Sequence, residues 1–108
     1  MIYELRVYEP HPGKLQALHD RFARHTTRLF EKHGMTIVGF WTPAIGGWSN
    51  QLIYLLGHAD LAARERAWAA FLADPEWVAA KTESEREGPL VARLRSEMLT
   101  PTPYSPLQ

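Results

Sequence analysis

The chain has 108 residues, with 12 acidic and 12 basic side chains in balance and no cysteine. One domain is expected at this length, able to bury roughly two-thirds of its unfolded-chain surface without cross-links. The absent thiol excludes disulfides, thiolate metal sites and a cysteine nucleophile, and the charge balance argues against a nucleic-acid or anionic-membrane surface. No apolar run approaches the ~20 residues of a membrane span, and the sequence opens directly on a strand pattern, so a cytoplasmic location is the expectation. Four Trp, four Tyr and four Phe are a heavy aromatic load. They fit a packed core with an obligate subunit interface, or an aromatic-lined pocket.

Residues 2–9 alternate, with Tyr3, Leu5 and Val7 on one face and Ile2, Glu4, Arg6 and Tyr8 on the other. The first set is expected to meet the helices, and the second to lie under a partner sheet. Pro10, Pro12 and Gly13 break this strand. A helix is then predicted from about Gly13 to His33, closed by Gly34. Its apolar stripe is Leu15, Leu18, Phe22 and Leu29, and Arg21, Arg24, Arg28, Glu31 and Lys32 take the solvated side. His19, Thr26 and His33 recur at seven-residue intervals along one edge of the stripe, with His25 on the other edge. Residues seven apart rise ~10 Å along a helix, too far for two nitrogens to share one ion at ~2 Å each, so no metal site is expected there.

Residues 35–42 read as a second strand with Gly39 in its interior, the sign of a bulge or of a close approach. Phe40 and Trp41 should point to opposite faces. The segment PAIGGWS (43–49) is a hairpin connection, and its Trp48 belongs at a subunit contact or a pocket mouth. In the third strand Leu52, Tyr54, Leu56 and His58 alternate with Ile53, Leu55 and Gly57. Asp60 is the N-cap of a second helix whose apolar side holds Leu61, Trp68, Phe71 and Leu72, with Arg64 and Glu65 at its borders. Asp74-Pro75 starts a third helix that reaches about Arg86, and Gly88-Pro89 stops it. Residues 90–99 form the last strand, with Leu90, Ala92, Leu94 and Met98 on the face expected to be buried. The tail TPTPYSPLQ has three prolines and is either a disordered end or an arm over a partner subunit.

The order β-α-β-β-α-(α)-β is the split-βαβ arrangement of ferredoxin-like folds. The fold class is therefore α+β, a four-stranded antiparallel sheet with helices on one face. The bare face needs cover, which a self-complementary two-fold homodimer supplies.

The run NQLIYLLGHADLAARE and the following ADPEW, with the opening MIYELRVYEPHPGKL and the central GFWTPAIGGWSNQ, resemble the NIPSNAP family over residues 1 to about 99. The resemblance implies a ferredoxin-like unit over 1–99 that pairs into a dimeric α+β barrel, leaving 100–108 as a Pro-rich tail. The family commonly has a histidine where this chain has Tyr54, and an aromatic residue where Leu56 stands. A phenol with reference pKa near ~10 is a poor general base at neutral pH, so Tyr54 is cast as a hydrogen-bond donor to a substrate oxygen. Barrel relatives include cofactor-independent monooxygenases, haem-degrading enzymes and small dehydratases, all using the cleft between helix and sheet. By that analogy the cleft here should hold His25 and Tyr54 as catalytic residues, with Trp41 and Trp68 as ligand-binding walls. His25 is the proton-transfer candidate because its reference pKa of about 6.5 suits neutral pH.

The expected ligand is a small apolar or aromatic molecule, with no cofactor and no metal. There is no Gly-rich phosphate loop and no Ser-His-Asp ordering. Haem would need an axial histidine, and five histidines nominate no single one. The functional expectation is a ligand-binding dimeric barrel, with monooxygenase- or isomerase-type chemistry as its active form. The alternative is a non-catalytic homodimeric binding or assembly module in which the same residues are merely packed.

Overall fold

The computed structural model describes residues 1–108. Strand β1 (Ile2–Pro10) leads into a long helix α1 (residues 15–32), then β2 (Thr36–Trp41), β3 (Leu52–His58), α2 (Leu61–Ala73), α3 (Pro75–Ser84) and β4 (Val91–Leu99). The sheet order is β2-β3-β1-β4, with every neighbouring pair antiparallel. This is the expected α+β, ferredoxin-like arrangement. No helix is long and apolar enough to cross a membrane.

Local chemistry sets the element ends. Asp60 Oδ1 accepts a hydrogen bond from the Ala63 amide at 2.7 Å and caps α2. Asp74 Oδ1 does the same for the Glu76 amide at 2.9 Å, with Pro75 in the first turn of α3. Helix α1 ends where Gly34 turns to φ 81°, a conformation that suits glycine. Gly39 carries both features read from the sequence. The β2–β3 register shifts between Ile37 and Gly39, and a Cβ at Gly39 would stand 2.7 Å from the Trp41 ring.

The core lies between the helices and one face of the sheet. Leu18, Phe22, Leu29 and Phe30 of α1, Phe71 of α2 and Trp77 of α3 close over Tyr8, Leu52, Tyr54 and Leu56. The β1 faces are the reverse of the expected ones. Arg6 pairs with Tyr54 and Tyr8 with Leu52, and directly opposed residues share a face. Glu4, Arg6 and Tyr8 therefore look toward the helices, while Tyr3, Leu5 and Val7 lie on the bare side with Ile53, Leu55 and Trp41. Two further expectations fail on the helices. Arg21 is buried rather than solvated, and Leu61 and Leu72 are exposed, so Ala67 and Phe71 carry the inner side of α2.

The molecule is a slab of 45 × 36 × 19 Å, one sheet and one helical layer thick. Its radius of gyration, 14.4 Å, exceeds the roughly 13 Å of a compact globule of this length. The tail folds back over the bare side, where Tyr3 Oη donates to the Gln108 carbonyl at 2.9 Å.

Candidate functional site

A cleft of about 420 Å³ opens between β1, β4 and the three helices. Its walls are Phe22, Phe30, Trp68, Phe71 and Trp77, and Arg6 and Tyr8 stand at its sheet side. The volume falls within the usual range for a small-molecule site, as does the mix of an apolar wall with a few polar groups.

Arg6 is fixed from behind by Glu4, whose side chain has no exposed surface. The Glu4 carboxylate accepts from Arg6 Nη1 at 2.8 Å, Arg64 Nη2 at 2.9 Å and Nε at 3.1 Å, Trp68 Nε1 at 2.9 Å and His58 Nε2 at 3.0 Å. Burial opposes its ionisation, but the hydrogen bonds from Arg64, Trp68 and Arg6 outweigh it and bring the pKa down to about 2. Glu4 thus stays a buried anion, satisfied on both oxygens. The Arg6 guanidinium lies over the Trp68 ring, 4.4 Å from its centroid. One indole therefore braces both members of the Glu4–Arg6 pair.

Next along β1, Tyr8 Oη accepts from Tyr54 Oη at 2.7 Å and from Arg6 Nε and Nη2 at 3.3 and 3.2 Å. Burial, with Tyr8 beside it, pushes the Tyr54 phenol well above its ordinary pKa, so Tyr54 remains a donor. The lone pairs of the Tyr8 oxygen are then engaged, which leaves its own O–H to donate. Deeper along α1, Arg21 Nη1 donates to Glu85 Oε2 at 3.1 Å and Ser84 Oγ at 3.3 Å, and the guanidinium stacks 5.1 Å from the Trp77 ring. Arg21 Nε is buried and has no acceptor.

The helix facing this cleft is not a uniform α-helix. Residues Phe22–Thr26 form a π turn, in which the Thr27 amide donates to the Phe22 carbonyl five residues back. The extra residue turns Arg21, Phe22 and Thr26 inward together, and all three line the cleft. It also carries His25 outward.

The four expected site residues are consequently spread over the molecule. Trp68 lines the cleft. Tyr54 has no exposed surface and sits one hydrogen bond behind it, through Tyr8. His25 is half-buried in a different, shallow groove between α1 and α3, beside Asp20, Arg24 and Glu83. Trp41 lies on the opposite face of the sheet, paired with Ile53 and half exposed. His25 and Trp41 are thus outside the cleft: the π turn displaces the one, and strand alternation puts the other on the bare side. Two polar residues at the sheet side of the cleft, Arg6 and Tyr8, are missed from the sequence because their strand face reads as one covered by a partner sheet. A usable signal was present. Glu4, Arg6 and Tyr8 share one strand face, and Arg64 stands four residues before Trp68, the spacing that puts two side chains on one side of a helix.

The NIPSNAP family model matches residues 3–106. No curated protein matches the chain. Among solved structures, a NIPSNAP-like domain protein of Burkholderia xenovorans is 30% identical with a TM-score of 0.84, covering 97% of this chain and 88% of its own. The Agrobacterium tumefaciens protein Atu4242 is 24% identical with a TM-score of 0.87, and the two chains cover each other fully. SnoaB of Streptomyces nogalater, a cofactor-independent oxygenase, is similar at 19% identity and a TM-score of 0.63, over 97% of this chain and 96% of its own, a likeness of fold alone. A family model that runs almost end to end, and a relative with this sheet and these helices at 30% identity, lead to one conclusion: the chain belongs to the NIPSNAP family.

Proposed function

We propose that this protein is a homodimeric barrel whose subunits each bind a small aromatic or apolar molecule in the cleft between helix layer and sheet. The observation that carries the reading is the cleft itself: about 420 Å³, five aromatic walls, and the braced polar pair Arg6 and Tyr8 on one side. Rings that already pack edge-on against one another, such as Phe22 with Tyr8 and Trp68 with Phe71, offer π faces and edges to a flat ligand. Dimerisation through the bare sheet face would leave this cleft open, since it lies on the other side of the sheet.

The likeness of fold to SnoaB makes cofactor-independent oxygenation the first chemistry to assay, by oxygen uptake with no cofactor added. A binding role without turnover is the second reading. It is favoured by the cleft lining, which contains no histidine and only one carboxylate, Glu85, already paired with Arg21.

Ligand-observed NMR with a panel of flat aromatic compounds tests the binding. It should be repeated on Ala92→Trp, at the exposed β4 rim of the cleft. Binding to the wild type that the rim variant loses supports the reading. Binding kept in the variant moves the site elsewhere, and binding to neither removes it.

A further inference from the structure

The polar groups of the cleft are mostly hydrogen-bond donors. Arg6 uses three of its nitrogens on Glu4 and Tyr8, and these account for three of its five N–H groups, leaving one on Nη1 and one on Nη2. The Tyr8 oxygen is engaged by Tyr54 and Arg6, so it too can only donate. Arg21 adds a buried Nε–H with no acceptor. The ionisable side chains lining the cleft, Tyr8 aside, are Arg6, Arg21, Lys81 and Arg93 against the single acid Glu85. Glu4 and Glu9 balance Arg6 and Arg93 from outside the lining, and Glu85 balances Arg21. Lys81 has no ion-pair partner, and the one carboxylate in the lining, Glu85, is already engaged by Arg21. A neutral hydrocarbon would leave these buried N–H and O–H groups without acceptors.

We infer that the molecule bound in this cleft is an aromatic oxyanion, of which a carboxylate is the simplest case, held by the free N–H groups of Arg6 and the O–H of Tyr8. The inference rests on the cleft being a ligand site, and it adds the charge and donor pattern of the ligand. Glu4 and Trp68 position Arg6, the one by accepting from its Nη1 and the other by lying under its guanidinium, and Arg64 holds Glu4 in place. The guanidinium fork matches two carboxylate oxygens, and its position over the Trp68 ring fixes the plane in which they arrive. The aromatic frame of the ligand would then extend between Phe22, Phe71 and Trp77.

A matched pair of probes separates this inference from the reading beneath it. 2-Naphthoate and 2-naphthamide have nearly the same shape, and only the first is anionic at pH 7. Isothermal titration of the full chain should give at least tenfold tighter binding of the naphthoate. Arg6→Met should abolish that preference, and Arg6→Lys, which keeps the charge and loses the fork, should retain part of it. Equal affinity for the two probes overturns the oxyanion inference and leaves the cleft as a ligand site. Binding of neither at millimolar concentration overturns both. A preference that survives in a folded Arg6→Met overturns the assignment to Arg6. The wild-type comparison decides the charge question even where Arg6→Met fails to fold.

Discussion

A carboxylate without exposed surface loses hydration worth several kcal/mol, and Glu4 offsets that loss only through the donors gathered around it. Removing the carboxylate should therefore cost more than a surface ion pair would. Glu4→Ala is expected to destabilise the fold by about 3–5 kcal/mol in urea unfolding, because Arg6, Trp68 and His58 lose their acceptor together. A cost under about 1 kcal/mol would mean that water or another acid replaces it. The same group links stability to pH. Its folded pKa lies at about 2, below the unfolded value of 4.5, so its contribution is fully present above about pH 4.5. It is lost as pH falls through the window down to about 2, and at that depression the loss amounts to about 3 kcal/mol. Urea midpoints measured between pH 6 and pH 2.5 should fall steeply for the wild type and much less for Glu4→Gln. Parallel curves would assign the acid sensitivity to other carboxylates.

Asp74 shows how a single side chain joins elements. One oxygen caps α3, while Oδ2 accepts from Lys32 Nζ at 2.8 Å and His33 Nε2 at 2.7 Å at the end of α1. Hydrogen bonds from Lys32, His33 and the Glu76 amide hold its carboxyl well below the usual range. Asn can still cap a helix but brings no charge, so Tm should fall from wild type to Asp74→Asn and again to Asp74→Ala. An Asn variant as labile as the Ala variant would put the whole effect on the ion pairs. The π turn of α1 belongs to the same scale. Deleting the exposed Ala23 should restore a regular helix while keeping Leu18 and Leu29 inward, with a stability loss of no more than about 2 kcal/mol. Loss of cooperative unfolding would show that the fold, and not only the cleft, depends on the turn. Elements of this kind decide what was legible in advance. The capping aspartates, the Gly34 stop, the Gly39 bulge and the succession of elements along the chain could be read because each is written in adjacent residues. The strand faces of β1 and the reach of His25 could not. Glu4 and Arg6 look like surface residues until Arg64 and Trp68, some sixty positions on, are brought over them. A single added residue in one helical turn leaves no mark in the hydrophobic period.

On the scale of the whole molecule, the slab has one finished side and one unfinished side. Helices cover the core face, while the other face presents Leu5, Ile53 and Leu55 only half-buried and Trp41 half exposed. A sheet of this kind is stable when both faces are packed, and the folded-back tail reaches only the Tyr3 corner. A second copy offers the same apolar surface in mirrored register about a two-fold axis, which makes the contact self-complementary. Ile53 lies on β3, inside the sheet rather than at its edge, and pairs with both Val7 and Trp41 on that face. Ile53→Arg should place a charge at the middle of any such contact while leaving the helix-side core untouched. Sedimentation velocity is expected to report a dimer for the wild type and a folded monomer for the variant, with helical circular dichroism retained. A variant that stays dimeric would move the contact off this face. A wild type that sediments as a monomer would leave the slab to stand alone, with the apolar side of its sheet in water.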